Sequence, residues 1–310
     1  MAKLILSRLL QIPLILGLIF CITFVLVWTI PGNPLLSPDG KKPSKQIQAA
    51  LAKQYGLDGQ HSDIMLKYAK DVLLHGDFGP SLQYKDQRVS QIIQTSLPIS
   101  ASLGIVAMVF ALHLGLLVGI IGAIKPNSWL DLGSLSIALL GISLPTFVTG
   151  SILMIVFGSI LHWFPIAGWE SPGHYVLPAI ALGIAPAAYI ARLIRLGLAD
   201  ICKSDFIRTA RAKGVSPLKI LLDHSLKIAF LPVLSFLGPA LAAVMTGSFV
   251  IEKVFAIPGI GQHFVNAVLN RDRFLILGLV LVYSAMLIGF NLIIDLAYTA
   301  FDPRIKLEEE

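Results

Sequence analysis

Few side chains in this sequence have a type and spacing that could do chemistry. Seven histidines are scattered along the chain, and the two cysteines, Cys21 and Cys202, form neither a disulfide framework nor a metal-binding spacing. The sequence contains no G-x-x-x-x-G-K-S/T phosphate loop, no H-E-x-x-H motif and no G-x-S-x-G motif. We therefore predict no catalytic residue, no metal site and no cofactor bound by this chain.

Two ionisable residues, His113 and Asp295, lie inside long apolar stretches. Ionisable groups are costly in hydrocarbon, so they are functional candidates by default. His113 is near the middle of its stretch and either faces a pore or makes a hydrogen-bonded packing contact. Asp295 is near the end of the last stretch, where water or Arg304 can reach it, which favours a structural role at an interface.

The densest group of basic residues lies in a polar loop at residues 198–228. Its Ser-Asp pair at 204–205 can cap a short helix, and Gly214 can end that helix in the left-handed conformation. The Ser-Pro pair at 216–217 matches the N-cap and first position of a second helix. The sequence thus predicts two short helices joined at a glycine corner.

This basic loop has two possible roles. Its lysines and arginines could hold it against anionic lipid headgroups. Alternatively, it could dock on a cytoplasmic partner protein. In that case Ala210 and Gly214 would allow close approach, and the arginines would provide charge complementarity.

The elements that position these residues are membrane-spanning helices. The chain is 55% hydrophobic and only 14% charged, with a mean hydropathy of +0.79, whereas soluble domains carry about 25% charged residues. Apolar runs of this length can cross ~30 Å of hydrocarbon as helix. Six such runs are predicted as spans, at residues 9–30, 97–124, 132–161, 175–194, 229–251 and 274–300.

The distribution of lysine and arginine predicts the orientation. With six spans both termini share one side, and that side carries thirteen basic residues against three in the short loops opposite. The positive-inside rule then places both termini in the cytoplasm. The formal net charge of +6 is explained by these loops, so we expect no nucleic-acid partner. The protein is predicted to be a multi-pass protein of the bacterial inner membrane, in contact with lipid.

Four regions follow from this topology. Residues 1–30 form the N-terminus and first span, 31–96 an external domain, 97–303 a five-helix core that includes the loop at 198–228, and 304–310 a cytoplasmic tail. In the external domain, Ser62 can cap an amphipathic helix whose apolar face is formed by Met65, Leu66, Ala69, Val72 and Leu73. Its apolar face either packs on the ends of the bundle or docks an external partner.

Prolines inside the predicted spans indicate kinked helices, because each removes a backbone hydrogen bond. Kinked helices suit a conduit, although proline is also common in ordinary membrane helices. A proton-coupled secondary transporter is the alternative from another class, but it should show inverted repeats and paired intramembrane carboxylates. The predicted kinks are at Pro145, Pro178, Pro186, Pro232 and Pro239.

A re-entrant turn is predicted where the chain leaves the fifth span on the external side. The turn is formed by Pro258 and Gly259, and the chain returns toward the bilayer at Gly261. Such a backbone needs protein cover, so it should line the external mouth. We predict that it is a gate or a binding-protein contact, with Glu252 at its start, or else a plain connecting loop.

Five stretches of sequence together resemble a known family. They are H-G-D-F-G-P-S at 75–81, S-D-F-I-R-T-A-R-A-K-G at 204–214, I-E-K-V-F-A-I-P-G-I-G-Q at 251–262, N-R-D at 270–272 and D-P-R-I-K at 302–306. In this order on a six-span topology they resemble the permease subunits of bacterial ATP-binding-cassette importers, in the subgroup that transports oligopeptides, dipeptides and nickel. The resemblance covers nearly the whole chain.

The resemblance implies the MetI-like (type I) permease fold and a role as half of an oligopeptide pathway driven by alternating access. Dipeptide, nickel or another small solute is the alternative cargo. The implied partners are a homologous second permease, two ATPase subunits that bind ATP and Mg, and an external solute-binding protein. The implied coupling loop includes Arg208, Thr209, Ala210, Arg211, Gly214, Ser216 and Pro217. General importers have an acidic residue in the slot that Arg208 occupies, so no mechanism can require a carboxylate there.

Overall fold

The computed structural model describes residues 2–32, 45–84, 86–124, 128–246 and 248–301, and helices are the regular elements of these ranges. The helices are α1 (Ala2–Thr29), α2 (Lys45–Gln54), α3 (His61–His75), α4 (Val89–Ile124), α5 (Trp129–Ser143), α6 (Thr146–Leu153), α7 (Gly173–Ile201), α8 (Asp205–Ala212), α9 (Pro217–Lys219), α10 (Leu226–Ala229), α11 (Leu231–Met245), α12 (Phe249–Val254), α13 (Ile260–Asn270) and α14 (Arg273–Phe301). π-Helical segments follow α6 at Met154–Ile160 and α9 at Ile220–Ser225.

Five stretches of the described chain are helical, long and apolar enough to cross a membrane. Four correspond to the helices α1, α4, α7 and α14, and the fifth runs from α11 to the end of α12 at Leu231–Val254. The sixth predicted span, residues 132–161, is divided between α5 and the shorter apolar helix Thr146–Ile160. The count of six spans and the side of the termini therefore stay predictions.

The division of the third predicted span lies at Pro145. Leu144 has φ −81° and ψ 127° and Pro145 has φ −57° and ψ 138°, so two consecutive residues are extended. Proline disfavours the α conformation in the residue before it and cannot donate a backbone hydrogen bond. The structure thus has a break between two helices where the sequence predicted a kink in one helix.

The other prolines differ in position. Pro178 and Pro186 lie inside α7, and Pro239 lies inside α11. Pro232 lies in the first turn of α11, where a backbone N–H has no helical acceptor to lose. No kink is therefore required at Pro232.

The chain divides into two compact units, and the first comprises the described residues of 101–257 and 289–301. In this unit α7 packs against α5, α6, α10, α11 and α12. Two glycines on α4 allow close packing on α7. A Cβ at Gly115 would lie 2.7 Å from the carbonyl oxygen of Ala187, and a Cβ at Gly119 would lie 2.7 Å from that of Ala191. Small residues four apart are typical of close helix packing in membranes.

The second unit comprises residues 2–100 and 258–288. Its core includes an aromatic cluster in which Tyr68 of α3 stacks on Phe20 of α1 and on Phe274 of α14, with centroids 5.8 Å apart in both pairs. Trp28 of α1 meets Phe274 edge-on at 6.2 Å. Aromatic pairs at these distances add to the stability of apolar burial.

Helix α3 is the amphipathic helix predicted in the external region, with two corrections. Its N-cap position is held by Gln60, so Ser62 lies in the first turn and does not cap it. Its most buried residues are Ile64 and Tyr68, whereas Leu66 and Leu73 of the predicted apolar face are exposed. The helix packs within its own unit, which favours the packing interpretation of that face over docking.

Candidate functional site

The basic loop folds as the predicted helix–glycine–helix hairpin. Ser204 is extended at the N-cap position of α8, but its hydroxyl donates to the carbonyl of Ile201 at 2.6 Å and does not cap the helix. Gly214 follows α8 with φ +77°, in the left-handed region. Ser216 is the N-cap residue of α9, and Pro217 is at the first helical position. The chain then continues through a π-helical segment into α10. We call residues 204–222 the basic hairpin.

One face of the basic hairpin is anchored and the other is exposed. Ile207 of α8 is fully buried and Ile220 is 4% exposed, and α8 packs against the π-helical segment that contains Ile220. Large apolar side chains are nevertheless exposed, namely Phe206, Leu218 and Leu222. Ala210 is half-buried, and the other residues of the predicted coupling set are exposed, namely Arg208, Thr209, Arg211, Gly214, Ser216 and Pro217. The hairpin therefore presents a mixed basic and apolar surface on a buried support.

A glycine is needed at position 214 because of the backbone conformation there, and not because of crowding within the chain. A Cβ built at this residue meets no described atom within 4 Å, but L side chains rarely adopt its positive φ. Any close approach at Gly214 must therefore involve a partner molecule.

Helix α10, which follows the basic hairpin, packs closely on α7. A Cβ added at Gly197 of α7 would lie 3.1 Å from the Cα and Cβ of Ala229 in α10. The last turns of α7 and helix α10, which follows the hairpin, are therefore in backbone-close contact.

A buried ion pair, which the sequence reasoning missed, connects α5 to the same end of α7. Asp131 in the first turn of α5 is 1% exposed, and it accepts two hydrogen bonds from Arg195 of α7. One bond joins Nε to Oδ1, and the other joins Nη2 to Oδ2 at 2.7 Å. Bidentate pairs of this kind fix both side chains in one geometry.

A signal for this pair was present in the sequence. Asp131 directly precedes the third predicted span and Arg195 directly follows the fourth. Antiparallel neighbouring spans place these opposite charges at the same membrane side, so they could have been paired. They were overlooked because only ionisable residues inside the predicted spans were considered.

The turn after α12 differs from its prediction in one respect. Glu252 is fully buried, so its carboxylate is not available to an external binding protein in this structure. Gly259 and Gly261 are also buried, and only Pro258 of the four predicted residues is exposed. Gly259 is the N-cap residue of α13, whose first N–H, from Ile260, donates to the hydroxyl of Ser100 at 2.9 Å.

The two ionisable residues inside predicted spans both have interaction partners. His113 is exposed, and its Nδ1 lies 2.8 Å from the carbonyl oxygen of Val109, one turn earlier in α4. Asp295 is half-buried in α14 and also has an interaction partner. His113 thus has one ring nitrogen satisfied within its own helix.

Comparison with known proteins identifies the family. The family described as binding-protein-dependent transport system inner membrane component matches residues 115–307. The chain belongs to this family. It is 40% identical over 310 residues to the dipeptide transport system permease protein DppB of Bacillus subtilis (strain 168), with 100% of both chains covered. It is 41% identical over 308 residues to the oligopeptide transport system permease protein OppB of Escherichia coli (strain K12), covering 99% of this chain and 100% of that protein.

Solved structures of transporters show the same fold. A chain of the MetNI methionine ABC transporter in inward-facing conformations matches with a TM-score of 0.55 and 19% identity, over 69% of this chain and 97% of that chain. A chain of an amino acid ABC transporter crystallised with histidines matches with a TM-score of 0.51 and 18% identity, over 68% and 94%. The predicted all-α, MetI-like permease fold and the multi-pass inner-membrane location are confirmed.

Asp272 connects two of the sequence stretches that carried the resemblance, at residues 75–81 and 270–272. Asp272 of the N-R-D stretch is fully buried, and its Oδ2 accepts from Ser81 Oγ at 2.5 Å, Leu82 N at 3.0 Å and Gln83 N at 3.2 Å. Its Oδ1 accepts from Leu275 N at 3.2 Å. Burial raises the pKa of Asp272, and these four hydrogen bonds oppose that rise.

Replacing Asp272 with asparagine is expected to lower the free energy of unfolding by about 1–3 kcal/mol. An amide cannot offer acceptor oxygens in both directions, so at least one buried donor loses its partner. Thermal unfolding of the purified chain in detergent measures the change. Asp86→Asn is the control, because Asp86 is exposed and has a left-handed φ of 61° that asparagine tolerates. Equal melting temperatures for the two variants would contradict the role of Asp272.

Proposed function

We propose that this chain is one half of the translocation pathway of an ATP-driven importer of oligopeptides. The observation that carries the proposal is the full-length similarity, at 40–41% identity, to proteins described as dipeptide and oligopeptide permeases. A homologous permease subunit supplies the other half of the pathway. An external solute-binding protein delivers the peptide, and the inner and outer openings alternate during the cycle.

Energy for the cycle comes from other subunits. The sequence has no phosphate-binding loop, so two ATPase subunits bind ATP and Mg, and this chain has no catalytic site of its own. The basic hairpin is the element that docks on an ATPase subunit. The exposed basic and apolar surface at Phe206, Arg208 and Leu218 supports this docking role. The close contact of Gly197 with Ala229 and the Asp131–Arg195 pair then couple ATPase movement to α7 and α5.

Charge reversal in the hairpin tests the docking step. The Arg208→Glu/Arg211→Glu variant is expected to lose at least about tenfold in copurified ATPase. A partner surface that complements the arginines is acidic, and glutamates placed against it would be repelled. The matched control is Lys203→Glu/Lys227→Glu, which makes the same change in net charge at exposed residues on the flanks of the hairpin. Quantified bands after affinity purification from native membranes give the measurement.

The two variants also separate docking from binding to lipid. If the hairpin only lies on anionic headgroups, neither variant changes the amount of ATPase recovered. That result would refute the docking role.

Uptake by the reconstituted importer tests the substrate. Proteoliposomes that contain both permeases, both ATPase subunits and the binding protein are expected to accumulate labelled tetra-alanine when ATP is supplied. Labelled dialanine and nickel serve as competitors that rank the alternative cargoes. Accumulation of dialanine or nickel without tetra-alanine would overturn the oligopeptide assignment, and uptake without ATP would overturn the importer mechanism.

A further inference from the structure

The break between α5 and α6 is level with the middle of α7, which is long and apolar enough to cross a membrane. Leu144 and Pro145 are both extended at the break. A Cβ at Gly141, in the last turn of α5, would lie 3.0 Å from Cγ2 of Ile184 and 3.2 Å from Cβ of Ala188. Those two residues are at least about 16 Å from either end of α7, at 1.5 Å per residue. The break is therefore at the depth of the hydrocarbon.

The backbone at this break is exposed and has unused acceptors. Residues 142–145 are all exposed. Pro145 has no N–H to donate to Gly141, and no backbone N–H of the described residues donates to the carbonyl oxygens of residues 141–144. Irregular backbone at this depth is tolerated only inside protein or beside a water-filled cavity, because lipid offers no hydrogen bonds. The face that carries these carbonyls therefore does not face lipid.

An apolar groove adjoins the break. It has a volume of about 300 Å³ and is lined by side chains of α5, α7 and α11, which include Ile142, Pro186, Tyr189 and Ala243. Tyr189 is 41% exposed, and its ring packs on Phe236 of α11 with centroids 4.5 Å apart. This volume is at the lower limit for small-molecule pockets. The groove therefore suits a single apolar side chain of a larger ligand.

The chemistry of the break and the groove favours a peptide as their occupant. A partner helix packed over them would leave the carbonyls unpaired, because the backbone N–H groups of a helix are bonded within it. A peptide brings free backbone N–H groups, side chains for the groove and a terminal ammonium, which the negative end of α5 attracts. Unwound carbonyls and helix C-terminal ends bind cations in this way at the midplane of other transporters.

We propose that the break and the adjacent groove form a peptide subsite in the translocation pathway. The carbonyl oxygens of residues 141–144 accept hydrogen bonds from the ammonium or the N–H groups of the peptide, and the groove receives one of its apolar side chains. Between transport events, water takes the place of the peptide at the carbonyls. The subsite rests on the proposed function, because it places this face of the chain in the peptide pathway.

Cysteine accessibility tests whether the break faces water. Ser143→Cys is introduced into a chain whose Cys21 and Cys202 are replaced with serine, and the assembled importer is placed in lipid nanodiscs. The probe is a charged, water-soluble methanethiosulfonate. We expect Ser143→Cys to be labelled, and we expect labelling to be lost when the transported peptide, tetra-alanine, saturates the importer.

Val109→Cys is the matched control on α4. Val109 is 51% exposed and lies at a similar depth, because a Cβ at Gly183 of α7 would be 2.7 Å from the carbonyl oxygen of Ala107. It is inside a continuous helix, so lipid can cover it. No labelling of Val109→Cys is expected.

Three results would overturn the subsite: no labelling of Ser143→Cys, equal labelling of the two variants, or labelling that the transported peptide does not slow. Labelling requires neither ATP nor transport. If the unaltered importer takes up tetra-alanine while one of these results is found, the subsite is wrong and the proposed function stands. Absence of uptake by the unaltered importer counts against the proposed function, and the contrast between the two cysteines still decides whether the break faces water.

Filling the groove tests its role in selecting side chains. Ala243→Phe places a large side chain at an exposed groove position on α11. Uptake of Ala-Leu-Leu-Ala by this variant is expected to fall about tenfold relative to tetra-alanine, because a leucine side chain loses its apolar contact. Ala285→Phe, at an exposed alanine of α14 outside the groove, should leave the ratio of the two peptides unchanged. An unchanged ratio in Ala243→Phe would overturn the role of the groove.

Discussion

Replacing Asp131 with alanine is expected to lower the free energy of unfolding by about 3 kcal/mol. Asp131 is 1% exposed, and 19% of the Arg195 side chain is exposed. Removing the carboxylate leaves a mostly buried guanidinium without its bidentate partner. The expected loss is at the lower end of the range for broken buried pairs, because Arg195 can still reach some solvent. Unfolding in mixed micelles with increasing SDS measures it.

A double-mutant cycle identifies the source of this loss. Arg195→Met alone should also be strongly destabilising, because it leaves the buried Asp131 carboxylate without its guanidinium. Combining Asp131→Leu, which is also measured alone, with Arg195→Met should recover most of the stability, since apolar pairs often replace buried ion pairs without loss. Arg192→Met is the matched control three residues earlier on α7, where the arginine is exposed. If Arg192→Met and Arg195→Met destabilise equally, the pair is not what stabilises this end of α7.

Replacing Gly214 with valine is expected to reduce ATP-dependent peptide uptake about tenfold. The left-handed conformation is unfavourable by roughly 1–2 kcal/mol for residues with a Cβ, and more for a β-branched residue. A penalty of this size changes the population of the folded hairpin by a factor of about 5–30. Uptake of labelled tetra-alanine into proteoliposomes gives the measurement, at equal amounts of assembled complex.

Asparagine at position 214 separates the two reasons for a glycine there. Asparagine tolerates a positive φ, and the chain itself leaves space at this residue. Gly214→Asn should therefore keep most of the uptake if backbone conformation is the requirement. If Gly214→Asn fails as severely as Gly214→Val, close approach of a partner subunit is the requirement. Normal uptake by the valine variant would contradict a role of the hairpin in coupling ATPase movement to transport.

Uninterrupted hydrophobicity made the membrane class and most spans predictable. Where spans are bounded by polar loops, as in α1 and α7, the composition alone indicates them, because lipid requires long apolar helices with satisfied backbones. The division of the third predicted span at Pro145 could not be predicted by the same rule. Hydropathy depends on composition and carries no information on the extended conformation of Leu144 and Pro145. The hydropathy pattern therefore predicted one helix where the structure has two.

The basic hairpin was also predictable, because its geometry depends on local chemistry. Gly214 can adopt positive φ, and Pro217 suits the first position of a helix, so the residues themselves specify the corner. The resemblance to importer permeases then indicated its role, which the experiments above test. Local rules were less successful for α3. The sequence offered Ser62 as its cap, and the structure has Gln60 at that position.

By itself, the sequence determined the membrane class, the family and the helix–glycine–helix corner, because each depends on composition or on neighbouring residues. Only the tertiary structure revealed the partners of Asp272 and Asp131, which lie 191 and 64 residues away in the chain at Ser81 and Arg195. It also decided that Glu252 is buried. Such contacts depend on how distant helices pack, and no local pattern of residue types encodes that packing.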